Sequence, residues 1–215
     1  MSKINTHLKS PLNRFAKRIF DAIVSILILP FLLIIIGIIG ILIKLERRGP
    51  VLFVQERLKE DKTTFRCYKF RTMYANADEI LEKYLREKPP AVEEWNTFKK
   101  LRGHDPRVTK IGKFLRATSL DELPQIFNVI KGEMSLVGPR PYLPREEPDM
   151  EGYIDIILLT MPGITGLWQV SGRNELNFND RLRLDAWYVQ NWSLKLDIVL
   201  ILKTLYVVIK RKGAY

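Results

Sequence analysis

A single cysteine, Cys67, and two histidines, His7 and His104, are the whole supply of thiol and imidazole in 215 residues. That excludes an internal disulfide framework, a cysteine-rich zinc site and a histidine-rich metal centre. Acidic residues are also scarce, 24 against 35 lysines and arginines, for a net charge of +11. A surplus of that size points to a polyanionic partner: nucleic acid, an anionic membrane surface or a phosphorylated substrate. No Gly-x-x-x-x-Gly-Lys segment is present, and Met161-Pro162-Gly163-Ile164-Thr165-Gly166 does not substitute for it, so P-loop nucleotide binding is not expected. There is no internal repeat and no low-complexity tract. The aromatic residues are scattered rather than interleaved with a basic stretch, which argues against a stacking groove for nucleic acid. With 47% hydrophobic residues the chain has enough apolar material for a core.

From Ala22 to Ile43 no residue is charged. As a straight helix this run would be roughly 33 Å long, against a hydrocarbon core roughly 30 Å thick. It is too long for the core of a signal peptide, and no small-residue cleavage site follows it. It is expected to stay in the mature chain. Pro30 lies inside it, leaves the Ile26 carbonyl without its helical partner and bends the chain. Gly37 and Gly40 loosen the second half. Lys9, Arg14, Lys17 and Arg18 precede the run, and Lys44, Arg47 and Arg48 follow it. Positive flanks mark the cytoplasmic side, so positive charge at both ends favours a re-entrant helix–break–helix. A kinked single-pass anchor is the alternative, and the pattern alone leaves both open.

Arg47-Arg48-Gly49-Pro50 reads as a boundary, dividing residues 1–48 from residues 49–215. Short alternating runs from Val51 to Met73 predict a β-hairpin around the polar stretch Lys59 to Thr64. Ala75 to Lys88 predicts a surface helix that stops at Pro89-Pro90, and Trp95 to Leu101 a further short helix. Ile111 to Arg116 is a short amphipathic piece. Thr118 to Lys131 reads as a helix with a start signal and a stop at Gly132. The proline-rich stretch Val137 to Pro148 and the glycine-rich stretch Met161 to Arg173 are expected to be irregular. Phe178 to Trp192 reads as helical. Leu194 to Lys212 reads as an amphipathic helix, either on a membrane surface or in the core with a basic tail. The fold class expected is α+β, mainly helical with a small β-hairpin.

The chemistry concentrates at Asp121-Glu122. With Ser119 as N-cap, Glu122 completes a capping box. With Asp121 as the cap, Pro124 falls comfortably in the first turn. Either frame puts two carboxylates at the positive end of a helix dipole, which favours their ionised forms. A carboxylate can attack a phosphoryl group, and its neighbour can hold Mg²⁺. Plain helix capping is the alternative. Arg107, Lys110, Lys113, Arg116, Arg140 and Arg145 surround this element in sequence, and Lys69 and Arg71 lie on the hairpin. Such groups clamp phosphates; a solvated basic surface over anionic lipid is the other reading. In Gly138-Pro139-Arg140-Pro141 two prolines fix the backbone around one arginine. His104 reads as a loop residue.

Lys69-Phe70-Arg71-Thr72-Met73, Asp105-Pro106-Arg107-Val108-Thr109, Thr118-Ser119-Leu120-Asp121-Glu122-Leu123-Pro124-Gln125, Phe127-Asn128-Val129, Lys131-Gly132-Glu133-Met134-Ser135-Leu136-Val137-Gly138-Pro139-Arg140-Pro141 and Pro162-Gly163-Ile164-Thr165-Gly166 occur in that order. In this set the chain resembles the bacterial sugar transferases, the monotopic polyprenyl-phosphate phosphoglycosyl transferases, from about Asn13 to Tyr215. The resemblance implies transfer of a sugar-1-phosphate from a UDP-sugar to undecaprenyl phosphate, with release of UMP, to begin a surface glycan such as an exopolysaccharide, capsule or O-antigen. It implies that Asp121 is the nucleophile that carries a covalent phosphosugar and that Glu122 is the carboxylate associated with Mg²⁺. Lys69, Arg116 and Arg140 match phosphate- or nucleotide-binding positions, Pro139-Arg140-Pro141 matches a nucleotide-holding segment, and Asp185 matches an acidic position near the site. Residues 1–48 then become a re-entrant membrane helix broken at Pro30, with Ser25 nearby, and residues 49–215 a catalytic domain on the cytoplasmic face of the bacterial inner membrane. The expected partners are a UDP-sugar, undecaprenyl phosphate and the lipid bilayer, without nucleic acid. A homo-oligomer is left open. Tyr142-Leu143-Pro144-Arg145-Glu146 and the Lys212-Gly213-Ala214-Tyr215 ending resemble the branch that uses UDP-galactose or UDP-glucose; a UDP-N-acetyl amino sugar is the alternative donor. Outside the family, a Mg²⁺-dependent hydrolase and a non-catalytic module binding anionic membrane are the rival readings.

Overall fold

The computed structural model describes residues 6–46, 48–98, 101, 104–150, 152–172 and 176–210. The chain is α+β and mostly helical, as the patterning predicts. Its N-terminal segment is one helix, α1 (Pro11–Glu46), with Pro30 inside it. The break expected at Pro30 is therefore not an interruption of helical structure. A proline removes one N–H and its ring crowds the preceding turn, but the ladder on either side can persist. Ser25 is buried, and its hydroxyl has no hydrogen-bond partner among the described residues.

Two faces divide α1. Lys17, Asp21, Ser25, Ile39 and Ile43 are buried, and Val24, Leu32 and Ile36 pack partly against the core, at helical spacing. The opposite face is apolar and bare, with Phe31 at 72% exposure and Ile23, Leu27, Ile34 and Ile38 also exposed. A bare apolar stripe of this length is unfavourable in water and suits lipid. Among the described residues α1 is the one helix long and apolar enough to cross a membrane. Yet both of its ends touch the same body. Arg14 donates to the Leu159 carbonyl at 2.7 Å, and Glu46 accepts from the Lys110 amide at 2.8 Å.

The predicted hairpin forms from β1 (Leu52–Leu58) and β2 (Thr64–Phe70), antiparallel, with Leu52 opposite Phe70 and Leu58 opposite Thr64. Strand alternation puts Lys69 on the same side as the buried Phe65 and Cys67. Two surface helices follow, α2 (Ala77–Glu87) and α3 (Pro89–Phe98). Pro89-Pro90, read as a stop, in fact open α3, where a missing N–H leaves no bond unmade. Next come α4 (Lys110–Thr118), a 3₁₀ turn over Leu120–Gln125, and α5 (Ile126–Lys131), which Gly132 ends at φ 80° as predicted.

Beyond this lie β3 (Ser135–Val137), a 3₁₀ stretch Pro144–Met150, α6 (Ile154–Ile157), β4 (Gly163–Thr165), α7 (Leu167–Val170), α8 (Phe178–Gln190) and α9 (Leu194–Lys210). The glycine-rich stretch is thus only partly irregular. It holds β4, paired parallel to β3, and the short helix α7. Three-residue strands carry no readable periodicity. The glycines are there because the backbones nearly touch: a Cβ on Gly163 would lie 2.0 Å from the Gly138 nitrogen. Helix α9 has one face in the core and another that is exposed and apolar. Leu200 is buried in the core, whereas Leu202, Leu205 and Tyr206 are exposed. Residues 211 and 212 of the expected basic tail lie outside the described residues.

A buried polar knot ties α1 to α8 and α9. The Lys17 ammonium lies 2.7 Å from the Asp197 carboxylate, whose other oxygen accepts the Tyr188 hydroxyl at 2.7 Å. Trp192 Nε1 donates to the same carboxylate at 3.0 Å, and Lys17 also reaches the Val137 carbonyl at 2.9 Å. Every charge in the knot has a partner, as burial requires.

Candidate active site

Asp121 and Glu122 sit neither at an N-cap nor in a capping box. Ser119 is the left-handed cap that closes α4, at φ 59°, and makes no side-chain cap bond to the following turn. The chain then winds through the 3₁₀ turn before α5 starts, which accommodates Pro124 without an α-helical N–H. The expected dipole effect is overturned as well. The Asp121 carboxyl is pushed up to about 6, first by burial and second by the Glu122 charge, while Lys69 and Arg116 pull it down. A non-glycine residue at positive φ one step before Leu120-Asp121 marks a backbone held against its preference.

Lys69 reaches across from β2, and its Nζ stands 2.7 Å from Glu122 Oε1. The Arg116 guanidinium is aimed by Thr72, whose hydroxyl accepts from Nε at 2.9 Å. Thr72 also anchors the start of α4, because its carbonyl accepts the Thr109 amide at 3.0 Å. The fit is tight: a Cβ on Gly112 would lie 2.0 Å from that carbonyl oxygen. Asn128 locks α5 to β2 with three side-chain hydrogen bonds. Its Nδ2 donates to the Arg66 carbonyl and to Glu133, each at 2.7 Å, and its Oδ1 accepts the Tyr68 amide at 3.1 Å. Lys69 and the carboxylate turn are therefore mounted on one rigid frame.

The Pro139-Arg140-Pro141 segment is held residue by residue. Gly163 N donates to the Pro139 carbonyl at 2.8 Å. Asp185, fully buried, accepts the Arg140 amide at 2.9 Å and the Tyr142 hydroxyl at 2.8 Å through one oxygen. Arg57 donates to the Pro141 carbonyl at 2.9 Å, and Leu58 N to the Tyr142 carbonyl at 2.8 Å. The Arg140 guanidinium is left to face the rings of Tyr142 and Trp168, 6.0 and 5.6 Å from their centroids, with Glu146 3.8 Å away. Arg181 stands 5.2 Å from the Trp168 ring. Asp185 is pushed up to about 7, by burial above all, against the pull of its hydrogen bonds and of Arg140 and Arg181. Its second oxygen has no hydrogen-bond partner among the described residues.

Arg57 joins the two halves. Its buried guanidinium feels both Arg140 and Glu122. The structure thus brings together Asp121, Glu122, Lys69 and Arg116 on one side, and Arg140 with Asp185 on the other. Arg71 has a different place: its Nη1 donates to the Arg48 carbonyl at 3.1 Å and packs against Gly49, at the join of α1 and β1. His104 is an exposed loop residue. Sequence reasoning missed Arg57, Trp168 and Arg181, and had Tyr142 only as part of the motif that resembles the donor branch. The sole short-range signal was Tyr142, which directly follows the Pro-Arg-Pro segment.

Two adjacent carboxylates can take a divalent cation alongside phosphate oxygens, the usual environment for Mg²⁺. Among the described residues no group of three or more carboxylate, imidazole or thiol side chains forms a self-sufficient metal cage. Two carboxylates would leave the other ligands of such a cation to water or to phosphate oxygens. Chemically, the cluster offers one partly buried carboxylate for attack, a second for a cation, and three cations for phosphate charge.

Sequence comparison gives this geometry its context. The family model for bacterial sugar transferases matches residues 12–211. The chain belongs to the bacterial sugar transferase family. It is 45% identical over 213 residues to the UDP-galactose-lipid carrier transferase of Erwinia amylovora, covering 99% of this chain and 44% of that protein. It is 45% identical over 216 residues to the undecaprenyl-phosphate galactose phosphotransferase of Salmonella typhimurium, covering 99% of this chain and 44% of that protein. Against the exopolysaccharide production protein ExoY of Sinorhizobium fredii it is 43% identical, covering 95% of this chain and 90% of that protein. The chain thus spans less than half of the first two relatives and nearly all of the third.

Proposed function

We propose that the protein transfers a hexose-1-phosphate from UDP-galactose or UDP-glucose to undecaprenyl phosphate and releases UMP, at the start of a surface polysaccharide. The observation that carries this reading is the Asp121-Glu122 pair held beside Lys69 and Arg116. The names of the relatives, which specify galactose and a lipid carrier, point the same way.

An Asp121 oxygen attacks the sugar-bearing phosphorus of the donor. The bond from that phosphorus to the oxygen bridging to UMP breaks, and UMP leaves with the electron pair. The phosphosugar stays on Asp121 as an acyl phosphate. An oxygen of the lipid phosphate then attacks the same phosphorus, the bond to Asp121 breaks and the carboxylate returns. All the reacting groups are anionic, so Lys69 and Arg116 offset charge at the attack, and Arg140, braced between rings, takes donor phosphate. Glu122 would hold Mg²⁺, which supplies further charge neutralisation at the phosphates.

The bilayer is the natural cover for the bare face of α1 and for exposed Leu202, Leu205 and Tyr206 on α9. Contacts from both ends of α1 to one body support a re-entrant helix, with residues 49–215 on the cytoplasmic face of the inner membrane. The test is UMP release from a panel of UDP-sugars with undecaprenyl phosphate and Mg²⁺. Release that requires lipid and Asp121, greatest with UDP-galactose or UDP-glucose, is expected. Preference for an N-acetyl amino sugar would move the donor assignment, and free sugar phosphate as product would make the protein a hydrolase.

A further inference from the structure

Helix α1 touches the segment that carries Asp121 and Glu122 at three places. Glu46, the last residue of α1, sits at the start of α4. Its carboxylate accepts the Lys110 amide at 2.8 Å and the Ile111 amide at 3.3 Å. The next two amides of α4 belong to Thr109: Gly112 N donates to its hydroxyl and Lys113 N to its carbonyl, both at 2.9 Å. With the Thr109 amide on the Thr72 carbonyl, all four amides that the helix start leaves without a helical partner, those of residues 109–112, are satisfied, two of them from α1. Arg18, near the other end of α1, caps α5. It donates to the Val129 carbonyl and, at 2.8 Å, to the Ile130 carbonyl. The charges have the right signs, a carboxylate at a helix start and a guanidinium at a helix end. Between the two, Ile39 and Ile43 of α1 pack in one cluster with Phe70 and Leu115, and Leu120 and Leu123 lie against that cluster. Leu120 and Leu123 flank the catalytic carboxylates in sequence.

We propose that α1 is part of the catalytic framework, and that Glu46 and Arg18 are positioning residues which clamp opposite ends of the segment bearing Asp121 and Glu122. The proposal rests on the phosphotransfer reading for its consequence in turnover, but not for the clamp itself. The segment needs such a clamp. It changes from α to 3₁₀ to α winding within residues 110–131 and passes through Ser119 at φ 59°. A short irregular turn with a strained residue keeps one shape only when its ends are fixed. Pro30 lies on α1 between the two attachment points, so the local shape of the membrane helix sets where they stand.

The experiment uses the full chain in lipid nanodiscs, with Glu46→Ala, the conservative Glu46→Gln and Arg18→Lys. Hydrogen exchange is followed across residues 109–131 beside kcat, KM for the UDP-sugar and flotation with liposomes. Glu46→Ala is expected to speed exchange about fivefold at residues 110–113, the scale of a lost cap. The acceleration should continue into residues 119–123, with kcat lowered about fivefold, KM nearly constant and flotation unchanged. Glu46→Gln, which keeps an acceptor oxygen, should restore most of both. Arg18→Lys should speed exchange at the α5 end and again lower kcat rather than raise KM. Exchange that changes only at residues 110–113, with kcat intact, overturns the proposal. So does a loss of kcat that Glu46→Gln does not rescue. If the unmodified protein turns over no donor, the phosphotransfer reading fails, and the spread of exchange into residues 119–123 still decides the clamp.

Discussion

Lys69 Nζ lies 2.7 Å from Glu122 Oε1, and the two charges of this pair act on Asp121 in opposite directions. Glu122 raises the Asp121 carboxyl and Lys69 lowers it, against a larger rise from burial, for a value of about 6. Attack requires the ionised carboxylate, so single-turnover UMP release should climb with pH through about 6. Lys69→Ala removes a lowering influence on Asp121 and one ion pair from Glu122. The rise should then move to higher pH, by about half a unit to one unit. Rate profiles between pH 5 and pH 8.5 check this. An unchanged profile would separate Lys69 from the Asp121 proton.

Asp121 should also weaken the fold it serves. Its carboxyl titrates higher in the folded chain than the ordinary 3.8, so the folded state binds that proton more tightly than the unfolded state. Stability is therefore full below about 4 and declines as pH rises to about 6. Asp121→Asn abolishes the cost of the buried charge. At pH 7.5 it should abolish turnover yet raise Tm by about 3 °C, measured calorimetrically in detergent. A lower Tm would mean that Lys69 and Arg116 stabilise the carboxylate by more than burial costs.

Asp185 holds the Arg140 amide and the Tyr142 hydroxyl through one oxygen. Asp185→Ala orphans both donors at a buried position. The Pro-Arg-Pro segment should loosen, raising KM for the UDP-sugar about tenfold, the equivalent of ~1.4 kcal/mol. Asp185→Asn keeps an acceptor there and should lose much less. Equal KM values for the two variants would show that the carboxylate charge, not the hydrogen bonding, is what matters.

The knot around Asp197 predicts a pure stability effect. Lys17→Met leaves the buried carboxylate without its cation, which costs about 3–5 kcal/mol. For a chain of this size Tm should fall by about 10 °C. Residual activity at 10 °C should remain near normal, because Lys17 contacts Asp197 and Val137 rather than the carboxylate turn. Loss of activity at low temperature would show that the Lys17 knot, like the Glu46 and Arg18 contacts, helps hold the site in place.

Much of this was legible in the sequence. The hairpin was visible from its alternation, Gly132 from its position after an apolar helix, and Asp121-Glu122 from the ordered motifs around them. Lys69 was linked to the site by the motif that contains it, and strand alternation in the structure sets it on the side of Phe65 and Cys67. The rest depends on long-range contact. Gly112, Gly138 and Gly163 look like flexibility in the sequence and are instead places where two backbones meet. Arg57, Trp168 and Arg181 come from separate segments and converge only after folding. Ser119 reads as a helix start and is one, but of a 3₁₀ turn rather than an α-helix, and the same residue closes α4.

The most direct test of the account is to trap the covalent intermediate. The protein is mixed with UDP-galactose or UDP-glucose and Mg²⁺ without undecaprenyl phosphate, quenched in acid, and its peptides are weighed. The account predicts a gain of one hexose phosphate on the peptide containing Asp121, matched by released UMP and discharged when undecaprenyl phosphate is added. It is absent from Asp121→Asn. A protein that turns over donor and lipid while Asp121 stays unmodified, or while Asp121→Asn remains active, would contradict it.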